Sequence, residues 1–245
     1  MDTLRVMSVW ENDIVRGDYT DEEKRYAKNS WRRFAFVLER VEECAALKGS
    51  SQDGTNLSIL DIGPHFFTAL LRKRFPAATI NSIGYYNQLC TSATVNKHIE
   101  FDLANTQFPE RWPAPMEHDI VVMGEVIEHL YTAPWLVLRF VKSLMSKNGF
   151  LVLSTPNAVD IIKRLNILRG RNPYEMLREC LHNPGHIREY TLRELTEIGS
   201  KAGLKVRTTY LANYFPANTA LGDILYTSTY AFPWLRNGIT IVFQA

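Results

Sequence analysis

The sequence predicts a doubly wound α/β protein with a mostly parallel seven-stranded sheet and an N-terminal helical extension. Three observations predict it. From Leu57 onward, short apolar runs alternate with helical patterns, which is the texture of βαβ units. The runs DIVVM and FLVLS are apolar almost throughout, as strands buried on both faces are. Before Leu57 there is one long helical stretch that opens on a capping box.

Residues 1–19 have no periodicity and are expected on the surface. Thr20 with Asp21, Glu22 and Glu23 places acids at the positive end of a helix dipole. The helix runs to about Leu47, with Trp31, Phe34, Phe36, Val37 and Val41 as apolar positions. It reads either as a cap or lid of residues 1–50 or as a helix packed on a sheet face. GSSQDGTN (49–56) is a polar linker into a domain of residues 51–245. Strands are expected at 58–62, 79–83, 98–101, 119–123 and 150–154, with helices at 65–75 and 132–147. Thr132 caps the second of these, Pro134 sits in its first turn and Asn148-Gly149 ends it. Residues 157–169 look helical and 170–190 look like a loop, together a substrate-determining insert around 157–190. Thr191-x-x-Glu194 caps a further helix, and strands at 204–211 and 238–244 suggest a hairpin closing one sheet edge.

Composition excludes several classes. The 245 residues are 46% hydrophobic and 22% charged, so the chain is neither disordered nor collagen-like. A net charge of +2 gives no sign of a nucleic-acid coat. Cys44, Cys90 and Cys180 are scattered, which argues against a disulfide framework or structural zinc and makes a reducing cytoplasm the expectation. The first residues lack a signal-peptide layout, and no apolar run approaches the roughly 20 residues of a membrane helix. WLVLRFVKSLM is cut by Arg139 and Lys142 at helical spacing, and Trp135 and Leu138 read as core. No membrane partner is expected.

Ligands of open α/β sheets bind at the carboxyl ends of the strands. The residues there are Asp61-Ile62-Gly63-Pro64-His65-Phe66-Phe67, Asp102-Leu103, Gly124-Glu125-Val126-Ile127-Glu128-His129-Leu130 and Thr155-Pro156-Asn157. Glu125, Glu128 and His129 stand at i, i+3 and i+4, and share one face if a helix starts after strand four. His186 lies in a loop before Tyr190-Thr191, with His182 nearby. Two carboxylates and two imidazoles can ligate one divalent ion. The plainer reading is a helix start whose acids favour its dipole and whose histidine packs.

The blocks ILDIGPHFFTALL, FDLANTQFP, HDIVVMGEVIEHL, GFLVLSTPN and HIREYTLREL resemble, in order and spacing, the class I S-adenosylmethionine-dependent methyltransferases of Rossmann-like fold. The resemblance spans about residues 57–205. It implies that Gly63 lets the first loop approach the methionine part of the cofactor, that Asp102 accepts from the adenine amino group with Leu103 against the ring, and that the Met123-Gly124 backbone borders the sulfonium. The family's D-x-G-x-G-x-G loop keeps only Gly63 here; His65 and Phe67 take the next glycine places, so Pro64, His65 or Phe66 face the cofactor on a different course. Strand two ends without the family's ribose-binding acid, leaving Tyr85 or Asn87 as substitutes. The E-x-x-E-H block and the later histidine resemble metal-dependent O-methyltransferases, both of ubiquinone biosynthesis and of small-RNA 3′ ends. That resemblance implies Glu125, Glu128, His129 and His186 as ligands, to magnesium by preference or to manganese or zinc, with His186, His129 and Glu125 catalytic. His186 or His129 as a plain general base competes with the metal.

The function expected is methyl transfer from S-adenosylmethionine to a small-molecule hydroxyl on a sugar or a phenol. The alternatives are an inactive methyltransferase-like regulatory protein and an RNA 2′-O-methyltransferase, which the small net charge disfavours. A homodimer is compatible with either. Lys163, Arg164, Arg169, Arg171 and Arg178 form a basic stretch that either meets a phosphate or carboxylate or, more simply, is a solvated face, and Tyr174, Tyr190, Tyr210 and Tyr214 either line an acceptor pocket or pack.

Overall fold

The computed structural model describes residues 8, 17, 19–88, 90–180, 184–215 and 219–245. Most of the segment 1–19, expected at the surface, and His182 therefore lie outside the described residues.

Helix α1 (Asp21–Leu47) begins at Thr20, whose hydroxyl accepts from the Glu23 N–H while the Glu23 carboxylate accepts from the Thr20 N–H. Seven strands follow: β1 (Ser58–Ile62), β2 (Thr79–Gly84), β3 (Lys97–Glu100), β4 (His118–Gly124), β5 (Met145–Pro156), β6 (Lys205–Ala212) and β7 (Gly238–Gln244). Between them lie α2 (Phe66–Arg74), α3 (Pro134–Ser143), α4 (Ile161–Leu168), α5 (Leu192–Lys201) and α6 (Ala220–Ser228). The sheet order is β3-β2-β1-β4-β5-β7-β6. β1 to β5 are parallel; β7 runs antiparallel between β5 and β6, so the late strand pair closes one edge as expected.

The period-2 alternation of each strand divides the core in two. Ile59, Ile80, Ile120, Val122 and Val152 face α1 and α2, meeting Phe34, Leu38, Val41, Phe67 and Leu70. Leu60, Val121, Met123, Leu151 and Ile241 face the other way, onto Val137, Leu138 and Phe140 of α3 and Leu195 of α5. The order of strands reverses between β1 and β4, so a crevice opens at their carboxyl ends.

Four local expectations are corrected. No α-helix starts directly after β4; the chain makes a single 3₁₀ turn, Ile127–His129, before α3. Ala133, not Thr132, stands at the start of α3, because the Thr132 hydroxyl donates to the Ala104 carbonyl instead. α3 ends at Ser143, and Asn148 (φ 58°) with Gly149 lies within β5, where the β4–β5 register shifts. Trp31 is 41% exposed, since the inward stripe of α1 runs through Ala27, Ser30, Phe34 and Val37.

Candidate active site

A cavity of about 1070 Å³ occupies the crevice. Gly63, Pro64, His65, Tyr85, Asp102 and Leu103 all line it; Gly124 stands beside it in β4 without lining it. Its roof is the first half of α1, from Glu22 to Arg33, and its far wall is the 157–190 segment with Phe215, Tyr226 and Asn237.

The first loop is held without its missing glycines. Gly63 has φ 74°, and a Cβ there would lie 2.7 Å from Val126 Cγ2, so only glycine fits against the β4 tip. Asn87 Nδ2 donates to the Pro64 carbonyl at 2.6 Å. The Thr68 hydroxyl accepts from the His65 N–H and donates to the Asp61 carboxyl at 2.5 Å. Burial pushes the Asp61 carboxyl up to about 7, the Thr68 bond offsetting only part of that rise. Phe67 does not enter the crevice. It turns into the core against Phe34, with ring centroids 5.7 Å apart. His65 does line the cavity, packed between Tyr26 and Phe66, and its Nδ1 is buried with no partner among the described residues. Burial, and then the charge of Arg33, lowers its imidazole to about 4, so it is neutral at pH 7. On the next strand tips, the Tyr85 phenol hydrogen-bonds Asp102, whose carboxylate also accepts from the Ala104 N–H. Burial and that carboxylate raise the Tyr85 pKa.

The acid–histidine cluster divides. Glu125 takes φ 56°, a left-handed conformation that costs a side-chain-bearing residue energy and recurs at functional sites. Its Oε1 accepts from Ser154 Oγ and its Oε2 lies 3.3 Å from the Arg33 guanidinium. Arg33 is 4% exposed and packed among Tyr26, Phe34 and Phe215. Burial alone would lower its pKa; Glu125 above all, with Tyr26 and Glu128, raises it instead.

Glu128, His129 and His186 come together, each offering a ligand atom within 4.8 Å of the others. The turn and the later loop are tied by the Glu128 carbonyl, which accepts from the N–H groups of Ile187 and Arg188. Glu128 is fully buried: Oε2 accepts from Thr155 at 2.9 Å and Oε1 has no partner among the described residues. Burial, and then the nearby Glu125, raises its pKa well above the carboxylate range. His129 Nδ1 pairs with the Gly185 carbonyl at 2.9 Å and His186 Nδ1 with Glu189 Oε1 at 3.0 Å. Burial lowers the His129 pKa, and neighbouring His186 lowers it further. Engaging both Nδ1 atoms leaves each Nε2 with a free lone pair, the outer-sphere arrangement that orients metal-binding imidazoles. Two imidazole nitrogens and an orphaned carboxylate oxygen fit a divalent ion. Glu125, expected as a fourth ligand, stands outside this group on Arg33, because no helix carries it onto the face of Glu128.

Sequence patterning missed Arg33, Asp160 and Glu189, and placed Lys163 more simply on a solvated face. Glu189 binds His186 and, by a short contact, Lys163, which also reaches Asp160. A signal existed for Arg33: it is a cation on the inward stripe of an amphipathic helix. His186-x-x-Glu189 was legible as a spacing only.

A family model described as a methyltransferase domain matches residues 29–209. No curated protein matches the chain. Among solved structures, a chain of a Haloferax volcanii complex containing the Trm112 methyltransferase activator superposes with a TM-score of 0.60 at 12% identity, over 91% of this chain and 92% of that one. The 1,6-didemethyltoxoflavin-N1-methyltransferase of Burkholderia thailandensis gives 0.54 at 11%, over 100% and 90%. An S-adenosylmethionine-dependent methyltransferase of Mesorhizobium loti gives 0.51 at 12%, over 82% and 96%. Identities this low establish a shared fold.

Proposed function

The chain belongs to the methyltransferase-domain family that its residues 29–209 match, and from that membership we propose that it moves a methyl group from S-adenosylmethionine to a hydroxyl of a small-molecule acceptor, with Glu128, His129 and His186 holding a divalent ion. The observation that carries this reading is the convergence of those three side chains, with His129 and His186 on the wall of a cavity that Gly63, Tyr85 and Asp102 also line and Glu128 buried behind them. The Burkholderia thailandensis relative, solved with S-adenosylhomocysteine, supports the choice of donor.

When bound, S-adenosylmethionine supplies an already activated methyl group, and a divalent ion supplies a lowered hydroxyl pKa. The chain's own residues do the rest. Gly63, whose missing Cβ lets the first loop close on Val126, brings its backbone to the cavity wall where the donor would lie. Asp102 and Tyr85 offer a carboxylate and a phenol to its base and ribose, and Leu103 an apolar surface. Methyl transfer is an in-line displacement: the acceptor oxygen bonds the methyl carbon as the carbon–sulfur bond breaks, S-adenosylhomocysteine leaves and the hydroxyl proton passes to solvent, so alignment dominates. His129 and His186, fixed through Nδ1 by Gly185 and Glu189, would hold the ion beside the acceptor. Arg33 holds Glu125 and keeps its charge compensated.

Calorimetry tests both parts without knowledge of the acceptor. S-adenosylhomocysteine is expected to bind with saturable heat, and Mn²⁺ to bind stoichiometrically. His186→Ala abolishes Mn²⁺ uptake and Glu189→Gln weakens it about 10–100-fold; both keep the S-adenosylhomocysteine heat. Absence of that heat removes the transferase reading. Donor binding without Mn²⁺ uptake favours the second reading, in which His186, paired to Glu189, acts as the general base.

A further inference from the structure

Lys163 lines the cavity, yet its protons are spent inside the wall. It stands in the first turn of α4, where a cation opposes the helix dipole, and its side chain is 14% exposed. Burying an ammonium is costly unless it is paired and hydrogen-bonded. Both costs point to a task for the cation beyond α4. An ammonium has three protons to donate. One goes to the Asn157 carbonyl at 2.9 Å, one to Glu189 Oε2 by a short contact, and the third faces Asp160 Oδ2 at 3.5 Å. None is left over for a phosphate or carboxylate of a ligand.

Glu189 carries the effect onward. Its side chain is 7% exposed, with Oε2 on Lys163 and Oε1 3.0 Å from His186 Nδ1. A carboxylate beside an ammonium only accepts, so His186 Nδ1 must donate. Nε2 then keeps its lone pair, because the bond made by one ring nitrogen sets the proton on both. His129 differs: its Nδ1 meets the Gly185 carbonyl, an acceptor that needs no cation. The backbone around Glu189 is tied without Lys163. Ala158 N–H donates to the Tyr190 carbonyl, and the N–H groups of Ile187 and Arg188 donate to the Glu128 carbonyl. Asp160 Oδ1 caps α4 through the Lys163 backbone N–H, which a methionine also supplies. What the ammonium itself holds is the Glu189 carboxylate, in its orientation and in its role as acceptor.

We propose that Lys163 is a positioning residue: acting through Glu189, it holds His186 in the tautomer with the proton on Nδ1 and the lone pair on Nε2. What that lone pair meets, a divalent ion or an acceptor hydroxyl, rests on the reading above; the tautomer does not.

Nitrogen-15 spectra of the histidine rings, taken on the chelator-treated full chain in alkaline buffer, test this without metal or acceptor. His129→Gln and His186→Gln assign the signals. The parent chain is expected to carry Nδ1–H on both rings. Lys163→Met leaves His129 unchanged and turns His186 into a mixture of tautomers, while Lys163→Arg, which keeps the cation, restores the parent spectrum. Mn²⁺ calorimetry reads the consequence. Lys163→Met weakens uptake about tenfold, and added to Glu189→Gln it weakens uptake no further. An Nε2–H tautomer at His186 in the parent chain overturns the proposal before any Lys163 variant is made. So does a His186 signal that Lys163→Met leaves unchanged, a change in both histidines together, or a double variant weaker than Glu189→Gln alone. The expected spectra without Mn²⁺ uptake would uphold the proposal and remove the ion from the reading above. Mn²⁺ uptake with Nε2–H at His186 would keep the ion and overturn the part given to Lys163.

Discussion

Asp61 stands near the end of β1 inside the protein, with the Thr68 hydroxyl as its hydrogen-bond donor and no cation beside it among the described residues. Its folded pKa of about 7 lies above the unfolded value of about 3.9. Between those values the unfolded chain has released the proton that the folded chain retains. Raising the pH through that window therefore favours unfolding, by about 1.4 kcal/mol per pH unit from this group. Asp61→Asn keeps an acceptor for Thr68 and removes the titration. We expect denaturant midpoints of the variant to lose this component of the decline between pH 4 and 7; a slope equal to that of the parent chain would show that Asp61 is ionised in the fold. At this scale the sequence was readable where a residue type has one use. Gly63, Asp102 and His186 all line the cavity, as their positions after strands or before the aromatic-Thr pair implied. Arg33 stood out only as a cation on an inward stripe; its pairing was not readable, because Glu125 is distant in sequence and the pair exists only once α1 lies over the sheet.

Elements were legible wherever periodicity ran without interruption. β7 falls where its apolar run was read, and α5 starts at its capping box. The turn after β4 was misjudged because E-V-I-E-H-L satisfies helical spacing, while the left-handed Glu125 and the tie from Glu128 to Ile187 and Arg188 end the element within one turn. Packing between elements was invisible in one dimension, and Gly199 is the sharpest instance. It stands in α5 facing β7, where a Cβ would lie 2.2 Å from Phe243 Cε1 and 2.7 Å from Cζ. Phe243 is fully buried, so its ring has nowhere to withdraw. Gly199→Ala gains helix propensity of up to about 1 kcal/mol. Overpacking of a full core costs about 1–3 kcal/mol. At 2.2 Å the clash outweighs the gain, and a lower urea midpoint is expected. A midpoint at or above that of the parent chain would mean that α5 slides on the sheet without cost.

At the scale of the whole molecule, one helix joins stability to ligand binding. The second half of α1 supplies Phe34, Leu38 and Val41 to the core, while its first half roofs the cavity with Glu22, Tyr26 and Arg33. A ligand filling the crevice thus bears on the helix end farthest from the core contacts, beside the first loop and the β2 tip. Binding to the folded state alone stabilises by about 2.7 kcal/mol at a ligand concentration of a hundred Kd. For a chain of this length that corresponds to a rise of about 5–10 °C in Tm. S-adenosylhomocysteine is therefore expected to raise Tm by this amount. It should also slow amide hydrogen exchange first in residues 20–33, 63–67 and 84–87, with little change over 34–47, where core burial already protects the backbone. Protection spread evenly along α1 would mean that the helix moves as one rigid body, and the roof would then be only part of the core. No change in 20–33 together with protection in 63–67 would place the ligand in the crevice without engaging α1, and would leave Arg33 a purely structural partner of Glu125.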